Sequence, residues 1–343
     1  MLLIDAQDQS WGEREQVTLR DVAKAAGVST STASVVLNAA KSGTRVSVAT
    51  RRKVLEVAER MEYRPNALAQ SLIRGRTHRI GVYSGGSRID ARNSFFAEVL
   101  GGICDAAAEF EANVVIHTSG SGDQHLLELV SNRAFDGLIV HARSDDPILP
   151  LLGELRVPAV SIADPVGELP CVVVDDENGG LLQAQHVASI GHRHVMLKVA
   201  PWPMESARIR MVAFQEAAQR LGIRVTPRLE TFGEDDGLDA EDVRILSEGE
   251  DRATAVIGWS DHVASRICNR LTTLGISIPE SVAVLGFDGF RHYAKPLHEL
   301  TTIRAPWSAI GASATQVLMQ LVDGKSVPKR TVLPVEFVRG STT

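Results

Sequence analysis

Hydroxyl and basic side chains are concentrated near the start of this 343-residue chain. The stretch STSTAS at 29–34 carries five hydroxyl groups, and the basic run RRK follows at 51–53. Such side chains bind the phosphate oxygens and base edges of nucleic acids, although a solvated charged face is the alternative for the basic run. Residues 16–79 hold 12 Lys and Arg against 4 Asp and Glu, whereas residues 80–343 hold 23 against 34. This asymmetry indicates a polyanionic partner for the first segment only.

Two short helices are predicted to position these hydroxyls. Thr18 can cap the first helix, and Asp21 three residues on completes a weak capping box. Gly27 supplies the backbone conformation of a tight turn, and Ser29 can cap a second helix. The buried side of the second helix is predicted to be Ala33, Val36 and Leu37. The pattern is that of a helix-turn-helix, with an ordinary pair of antiparallel helices as the alternative.

A third helix and a short fourth one are predicted to follow. Ser47 can cap the third helix. Its buried positions are predicted to be Val54, Val57, Ala58 and Met61. The helix ends at YRPN because Pro65 prevents its continuation, and Asn66 can cap a new helix over ALAQSLIRGR. An isolated helix this short is marginal in water, so we expect it to form only when docked.

These elements resemble a known family. The stretches VTLRDVAKAAGVSTSTASVVLN and RVSVATRRKVLEVAERMEYRPNALAQSL are similar to the DNA-binding head and hinge of the lactose-repressor/galactose-repressor (LacI/GalR) family of bacterial transcription regulators. The resemblance implies that the helix over 29–38 lies in the major groove of operator DNA. Thr30, Ser31 and Val35 match positions that reach base edges. Val35 offers only apolar contact, for example to a thymine methyl group.

The resemblance also implies contacts with the DNA backbone and an apolar wedge. Phosphate contacts are expected from Ser29, Thr32, Ser34, Asn38 and Arg51. Leu72 matches the hinge leucine that inserts between base pairs in the minor groove, with packing against Leu68 as the alternative. The full set of predicted DNA-binding residues is Thr18, Ser29, Thr30, Ser31, Thr32, Ser34, Val35, Asn38, Arg51, Asn66 and Leu72.

From Arg79 onward, patterns of buried strands alternate with helical ones. The strand candidates are RIGVYS, NVVIHT, DGLIVH, PAVSI, CVVVDD, HVMLKV, TAVIGW and VAVLGF. Helices are predicted over 96–111, 178–190 and 211–221. The alternation predicts parallel sheets in an α/β body, whose length favours two subdomains. This body resembles the periplasmic-binding-protein fold, which implies two Rossmann-like lobes, the first built from 80 to about 160 with a later segment near 305–325.

Ligands in such sheets bind at the carboxyl ends of strands. By the resemblance, Ser206 and Arg210 match positions that hold the effector, with Arg208 as a neighbouring candidate or a surface ion pair. Asp288 matches an aspartate that accepts hydrogen bonds from effector hydroxyls, and capping its own turn is the alternative. Trp259 can stack on a sugar or base, or belong to the core. The predicted effector-binding set is Ser84, Phe95, Ser206, Arg210, Trp259, Ser260 and Asp288.

Three further positions are weaker candidates for the same cleft. Arg88 and Asn93 lie in an unusual segment of the first lobe. Asp175 matches a family position at the hinge side of the cleft, and helix capping is an equal alternative.

The predicted fold combines an all-α helix-turn-helix head with an α/β periplasmic-binding-protein-like body. Four segments are expected. These are a flexible N-terminal extension at 1–15, a DNA-binding domain at 16–64, a hinge helix and linker at 65–78, and a two-lobed effector-binding and dimerisation domain at 79–343.

Other classes of function find no support in the sequence. No phosphate-binding glycine–lysine loop is present, and SGSGDQH breaks the dinucleotide fingerprint at His125. The histidines and cysteines with no metal-ligand spacing are His186, His192, His194, Cys104, Cys171 and Cys268. We therefore expect no enzymatic activity, no cofactor and no metal.

The leading hypothesis is a homodimeric transcription regulator, expected to be a repressor, that reads a pseudo-palindromic operator and responds to a sugar or related polar metabolite. A solute-binding protein without a DNA role is the alternative. That alternative predicts an export signal, whereas MLLIDAQDQSWGERE is too acidic for one. No apolar run approaches membrane-spanning length, so we expect a cytoplasmic protein without a membrane partner.

Overall fold

The computed structural model describes most of the chain. The described residues are 17–37, 46–64, 75–85, 89–90, 92–117, 126, 128, 131–132, 134–200, 204–230, 237–290 and 296–343. They form two compact units, one within 1–77 and the other within 78–343. No helix among them is both long enough and apolar enough to span a membrane.

The first unit contains helices α1 (Leu19–Ala26), α2 (Thr30–Leu37) and α3 (Val48–Arg60). Thr18 Oγ1 accepts the Asp21 N–H at 3.3 Å, and Asp21 Oδ2 accepts the Thr18 N–H at 2.9 Å. Gly27 ends α1 in the left-handed conformation, with φ of 67°. Ser29 Oγ accepts the Thr32 N–H at 3.1 Å at the start of α2. The predicted caps and turn are therefore confirmed.

An apolar core joins the three helices. Its buried members are Val22, Ala23, Ala26, Ala33, Val36, Val54, Val57 and Ala58. Leu37 and Met61, which were predicted to be buried, lie half-buried at its edge. Because helices of this length are unstable alone, their mutual burial is what stabilises the head.

The first lobe of the second unit is built on a six-stranded sheet. Its strands are β1 (Arg79–Ser84), β2 (Asn113–Ile116), β3 (Gly137–His141), β4 (Ala159–Ile162), β5 (Cys171–Val174) and β11 (Arg330–Leu333). Their order is β11-β5-β4-β3-β1-β2. Every neighbouring pair is parallel, as the alternation of strands and helices predicts.

The second lobe is built on another six-stranded sheet. Its strands are β6 (His194–Val199), β7 (Arg224–Leu229), β8 (Ala255–Gly258), β9 (Ala283–Asp288), β10 (Thr301–Arg304) and β12 (Glu336–Val338). Their order is β12-β10-β9-β8-β6-β7, and the terminal strand β12 runs antiparallel to β10. The other neighbours are parallel.

Helices connect the parallel strands, which need crossover connections. They are α4 (Ser94–Glu109), α5 (Ile148–Leu155), α6 (Asp176–Ser189), α7 (Glu205–Arg220), α8 (Ala240–Ser247), α9 (Asp261–Thr273) and α10 (Trp307–Val322). The chain crosses between the lobes after β5, after β10 and after β11. All three crossings lie beside the carboxyl ends of strands, where a ligand site is expected.

The structure corrects several sequence predictions in this unit. The first lobe does not stop near residue 160, because β5 and β11 belong to its sheet. Helix α7 begins at Glu205 rather than at 211, and α6 begins at Asp176 rather than at 178. Strand β2 is a half-exposed edge strand rather than a buried one.

Four strands escaped prediction, namely β7, β10, β11 and β12. Strand β7 contains Pro227 and lies at a sheet edge, where its side chains are largely exposed. Strand β10 is buried but begins with two threonines. Strands β11 and β12 are short edge strands. None of them has the apolar run that identifies a buried strand.

Helices α4 and α10 pack closely against each other. A Cβ atom at Gly102 would lie 1.8 Å from the Ser308 carbonyl oxygen, and one at Gly311 would lie 2.2 Å from the Val99 carbonyl oxygen. Only glycine permits this approach. The contact holds the start of α10, which is Trp307, against α4.

Candidate nucleic-acid interface and ligand cleft

The exposed face of α2 carries the predicted base-reading side chains. Thr30 and Ser31 are exposed, and Val35 is half-buried. The Ser29 hydroxyl lies 2.8 Å from the hydroxyls of both Ser31 and Thr32. The residues of α2 include no charged side chain, so this helix can offer hydroxyls and apolar groups to base edges but no guanidinium.

Other predicted DNA-binding residues lie around this helix. Thr18 is exposed within its capping box, and Arg51 is exposed on α3. Ser34 is half-buried on α2. The predicted contacts of Asn38, Asn66 and Leu72 lie outside the described residues.

Arg210 is buried at the junction of the two lobes and fully engaged with protein groups. Its Nε donates to Asp176 Oδ1 at 3.0 Å, and its Nη2 lies 2.9 Å from the same oxygen in an ion pair. Its Nη1 donates to the Trp259 carbonyl at 3.0 Å. The guanidinium carbon lies 3.5 Å from the centre of the Phe287 ring, a cation–π contact. Burial raises the pKa of Asp176 to about 6, against the opposing effect of Arg210.

Ser206 joins the lobes through its backbone. Its N–H, in the first turn of α7, donates to Asp164 Oδ1 at 2.7 Å. Asp164 follows β4 in the first lobe and is 2% exposed. A carboxylate at a helix N-terminus is stabilised by the helix dipole and by the unpaired N–H groups. Asp164 therefore caps a helix of the opposite lobe.

Asp288 ends β9 in an unusual backbone conformation, with φ of 136°. Its Oδ2 accepts the Asp261 N–H at 3.3 Å. Asp261 in turn accepts the Gly289 N–H at 2.8 Å and the Thr302 hydroxyl at 2.5 Å. Burial, followed by the charge of Asp261, raises the pKa of Asp288 well above its usual range. Asp288 thus belongs to a buried pair of carboxyl groups rather than to a simple turn cap.

Trp259 and Ser260 are both tied to the second lobe. The Trp259 indole N–H donates to Glu230 Oε2 at 2.7 Å, and its ring packs at the edge of the core under α9. Glu230 also accepts from Arg266 at 3.2 Å. Ser260 Oγ caps α9 by accepting the Val263 N–H at 3.3 Å. The packing interpretation of Trp259 is therefore favoured over a freely stacking ring.

The first lobe meets this group through an aromatic and polar surface. Ser84 Oγ lies 3.5 Å from His141 Nδ1, and His141 Nε2 lies 3.6 Å from Asp164 Oδ2. Phe95 packs edge-on against Trp307 at 4.9 Å between ring centres. Burial lowers the pKa of His141, while the charge of Asp164 opposes that shift.

The structure brings the predicted effector residues into one connected set, although their ligand contacts stay a prediction. A chain of polar contacts links Ser84 to Ser206 by way of His141 and Asp164. Trp307 contacts both Phe95 and Asp288. The residues that the sequence prediction missed are His141, Asp164, Asp176, Asp261 and Trp307. His141 and Asp176 end predicted strands, and this position was a signal for them, whereas Asp164 and Asp261 lie two residues beyond the ends of predicted strands.

The weaker candidates are placed differently. Arg208 forms an exposed ion pair with Glu205, with Nε to Oε2 at 2.8 Å. Asp175 caps α6 by accepting the Asn178 N–H at 3.0 Å, and Asn93 caps α4. Arg88 lies outside the described residues. Within the described part of the chain, no group of three or more His, Cys, Asp or Glu side chains is arranged to hold a metal.

Comparison with known proteins agrees with this architecture. Residues 18–66 match the family model described as bacterial regulatory proteins, lacI family, and residues 184–343 match the periplasmic binding protein-like domain. Catabolite control protein A of Priestia megaterium is 29% identical over 335 residues, covering 94% of this chain and 98% of that protein.

Two solved structures show the same fold. The lac repressor dimer bound to operator and the anti-inducer ONPF has a TM-score of 0.78 at 26% identity, covering 96% of this chain and 99% of that one. A LacI family transcriptional regulator from Enterococcus faecium with bound ribose has a TM-score of 0.66 at 27% identity, covering 77% of this chain and 98% of that one.

The helical head and the two-lobed body together define a DNA-binding regulator with a periplasmic-binding-protein-like domain. Residues 18–66 are thus similar to the DNA-binding domain of the lacI family, and residues 184–343 are similar to the periplasmic binding protein-like domain.

Proposed function

We propose that this protein is a homodimeric repressor of transcription whose affinity for operator DNA is set by a sugar or related polar metabolite bound between its lobes. The observation that carries the proposal is the buried polar junction, where Asp164 of the first lobe caps α7 of the second. Buried charges cost free energy unless they are paired or used in recognition. The ribose-bound regulator and the lac repressor dimer on its operator support the effector class and the assembly.

In the proposed complex, Thr30, Ser31 and Val35 contact base edges in the major groove. Two copies of the head read the two halves of a pseudo-palindromic site. Leu72 inserts into the minor groove between the half-sites. The remaining predicted contacts, with DNA phosphates or as helix caps, are Thr18, Ser29, Thr32, Ser34, Asn38, Arg51 and Asn66.

Each predicted segment has its own role in the proposed function. The DNA-binding domain occupies 16–64 and the hinge 65–78, while 79–343 bind the effector and form the dimer. A ligand that favours one arrangement of the lobes shifts the population of DNA-binding states by its difference in affinity. A cytoplasmic location follows from the need to reach DNA, and no enzymatic step is part of the proposal.

The test is selection of bound sequences from a pool of random DNA duplexes by the full-length protein at moderate salt. Recovery of an inverted repeat with a central pyrimidine–purine step is the expected result. Retained duplexes without a common motif would contradict sequence-specific binding. The double variant Thr30→Ala/Ser31→Ala should lose the motif while keeping salt-dependent retention, because phosphate contacts carry little sequence information. Ser247→Ala, in the second lobe, is the matched control.

A further inference from the structure

Three exposed cations of the head have no carboxylate partner among the described residues. They are Arg20 and Lys24 on α1 and Lys53 on α3. Their neighbour Arg52, also on α3, is instead paired with Glu56 at 3.5 Å. The three cations are therefore available to an anion, whereas the charge of Arg52 is partly balanced within its own helix.

These cations extend along α1 to the turn that ends it. Arg20 and Lys24 are four residues apart and lie on the same face of the helix. Lys53 Nζ reaches the turn, since a Cβ atom at Gly27 would lie 3.6 Å from it. The carboxylate of Asp21 is engaged in the helix cap. We call Arg20, Lys24 and Lys53 the basic surface of the head.

The segment that precedes α1 carries the opposite charge. Residues 1–15 contain one basic residue and four acidic ones, namely Asp5, Asp8, Glu13 and Glu15. These residues lie outside the described part of the chain. The point to which they are attached is described, because Val17 is half-buried against the apolar core of the head.

Chain length limits how far these carboxylates can lie from the basic surface. An extended chain spans at most about 3.6 Å per residue, so the backbone of Glu15 lies within about 7 Å of Val17 and that of Glu13 within about 14 Å. Helix α1 has 8 residues and is about 12 Å long. Charges interact over about 10 Å at 0.1 M salt. The segment thus holds its carboxylates near the basic surface at a high effective concentration.

We propose that the acidic segment at 1–15 occupies the basic surface of the head in the free protein and competes there with the phosphates of DNA. Carboxylates and phosphates are both acceptors for Lys and Arg side chains. Phosphate contacts carry little sequence information, so the segment weakens binding to operator and to random duplexes by the same factor. This inference concerns the regulation of the DNA site and rests on the proposed function.

Neutralising the segment without shortening it tests the competition. The variant carries four substitutions of similar shape, namely Asp5→Asn, Asp8→Asn, Glu13→Gln and Glu15→Gln. At low salt it should bind a random-sequence duplex about three- to tenfold more tightly than the wild type, because the competing negative charges are removed. The gain should disappear at high salt, where the charges are screened. Fluorescence anisotropy of a labelled duplex measures both affinities.

The matched control removes the same number of exposed carboxylates from the body. Its substitutions are Glu154→Gln, Glu168→Gln, Glu248→Gln and Glu250→Gln. It should change the affinity by less than about twofold, because an effect of net charge alone is weak beyond the screening length. Equal affinities of the neutralised segment variant and the wild type overturn the inference, as does an equal gain in the control.

Carbodiimide crosslinking, which joins a carboxylate to an amine, tests the contact in the free full-length protein. Peptides from 1–15 should be linked to Lys24 or Lys53, and an excess of duplex should reduce these links severalfold. The exposed Lys325 and Lys329 of the body provide the comparison. Links from 1–15 to these two lysines but not to the head would overturn the assigned contact.

Binding to operator and to random duplexes separates this inference from the proposed function. A gain of the neutralised variant on random duplexes, with no motif recovered by selection, supports the inference and contradicts sequence-specific regulation. A recovered motif with equal affinities in variant and wild type supports the regulation and overturns the inference. A gain confined to the operator would contradict competition for phosphate-binding side chains.

Discussion

The head and the lobe junction place their polar groups in opposite ways. Among the described residues of the head, every buried side chain is apolar, and the hydroxyls and charges lie at caps and on the outer faces of α2 and α3. The junction instead buries Asp164, Asp176, Arg210, Asp261 and Asp288. In the head, the buried side chains that stabilise the fold are therefore separate from the side chains proposed to bind DNA, whereas in the junction the residues proposed to bind the ligand are themselves buried.

This difference predicts how each region responds to its partner. Exposed groups on a preformed helix surface bind DNA without reorganising a core, and their contribution depends on salt. Buried charges are costly when unpaired, so a ligand that satisfies them should also stabilise the fold. Coupling between ligand binding and stability is thus expected at the junction and not in the head.

The largest expected effect comes from removing the buried guanidinium. Arg210→Ala leaves Asp176 uncompensated and should lower the free energy of unfolding of the body by about 3–5 kcal/mol. The matched control is Arg208→Ala two residues away, which removes an exposed ion pair and should cost less than about 1 kcal/mol. Urea denaturation followed by tryptophan fluorescence measures both. Equal costs for the two variants would contradict the contrast between buried and exposed charge.

The junction should also make the body less stable as the pH rises. The folded-state pKa of Asp176 is about 6, above its ordinary value of 3.8, because of burial. A raised carboxyl pKa means that the folded state holds the proton more tightly, so its contribution to stability is present below pH 4 and lost as the pH rises through 6. The loss is about 2 kcal/mol, measured as the urea midpoint at pH 4, 5, 6 and 7.

Other carboxyl groups also titrate between pH 4 and 7. The variant Asp176→Asn removes only the titration of Asp176 and therefore isolates its contribution. Its stability should vary less between pH 4 and 7 than that of the wild type. The same pH slope in the variant and in the wild type would show that Asp176 is not the group that titrates.

A smaller effect is expected in the head from the loss of one helix cap. Thr18→Ala removes the oxygen that accepts the Asp21 N–H and should destabilise the head by about 1 kcal/mol. Thr18→Ser retains that oxygen and is the matched control. Hydrogen-exchange rates of the amides in α1 measure the effect. Equal rates in Thr18→Ala and Thr18→Ser would contradict the assignment of Thr18 as a stabilising cap.

The smallest effect concerns a single phosphate contact. Arg51 is exposed on α3, so Arg51→Ala should leave the recovered DNA motif unchanged. It should reduce the slope of log affinity against log salt by about 1. Leu55→Ala, on the same helix, changes no charge and provides the control. An equal slope of log affinity against log salt in Arg51→Ala and in the wild type would contradict a phosphate contact of Arg51.

The head could be predicted from sequence far better than the junction. The caps at Thr18 and Ser29 and the turn at Gly27 depend on residues close together in the chain, and all three are confirmed. The contact between Asp164 and Ser206 spans 42 positions and requires knowledge of how the two sheets meet. Residues at the ends of predicted strands could be proposed for the cleft, but their partners could not.

Trp259 and Asp164 show the physical limit of such predictions. The strand pattern places Trp259 near the cleft, yet its indole N–H donates to Glu230, which directly follows a strand that the pattern did not reveal. Asp164 precedes a proline in a loop and has no periodicity to identify it. The role of each residue depends on a partner that is distant in the chain. The spacing of residues in the sequence does not identify that partner.

The most direct test of the central claim is hydrogen–deuterium exchange of the full-length protein with each partner separately. The partners are the duplex recovered by selection and the sugar that most raises the thermal midpoint of the protein. DNA is expected to protect α2 and its flanks, and the sugar is expected to protect the start of α7 and the end of β9 while leaving α1–α3 unchanged. Protection of α2 by the sugar, or no protection at α7 and β9, would contradict the assignment of separate DNA and ligand sites.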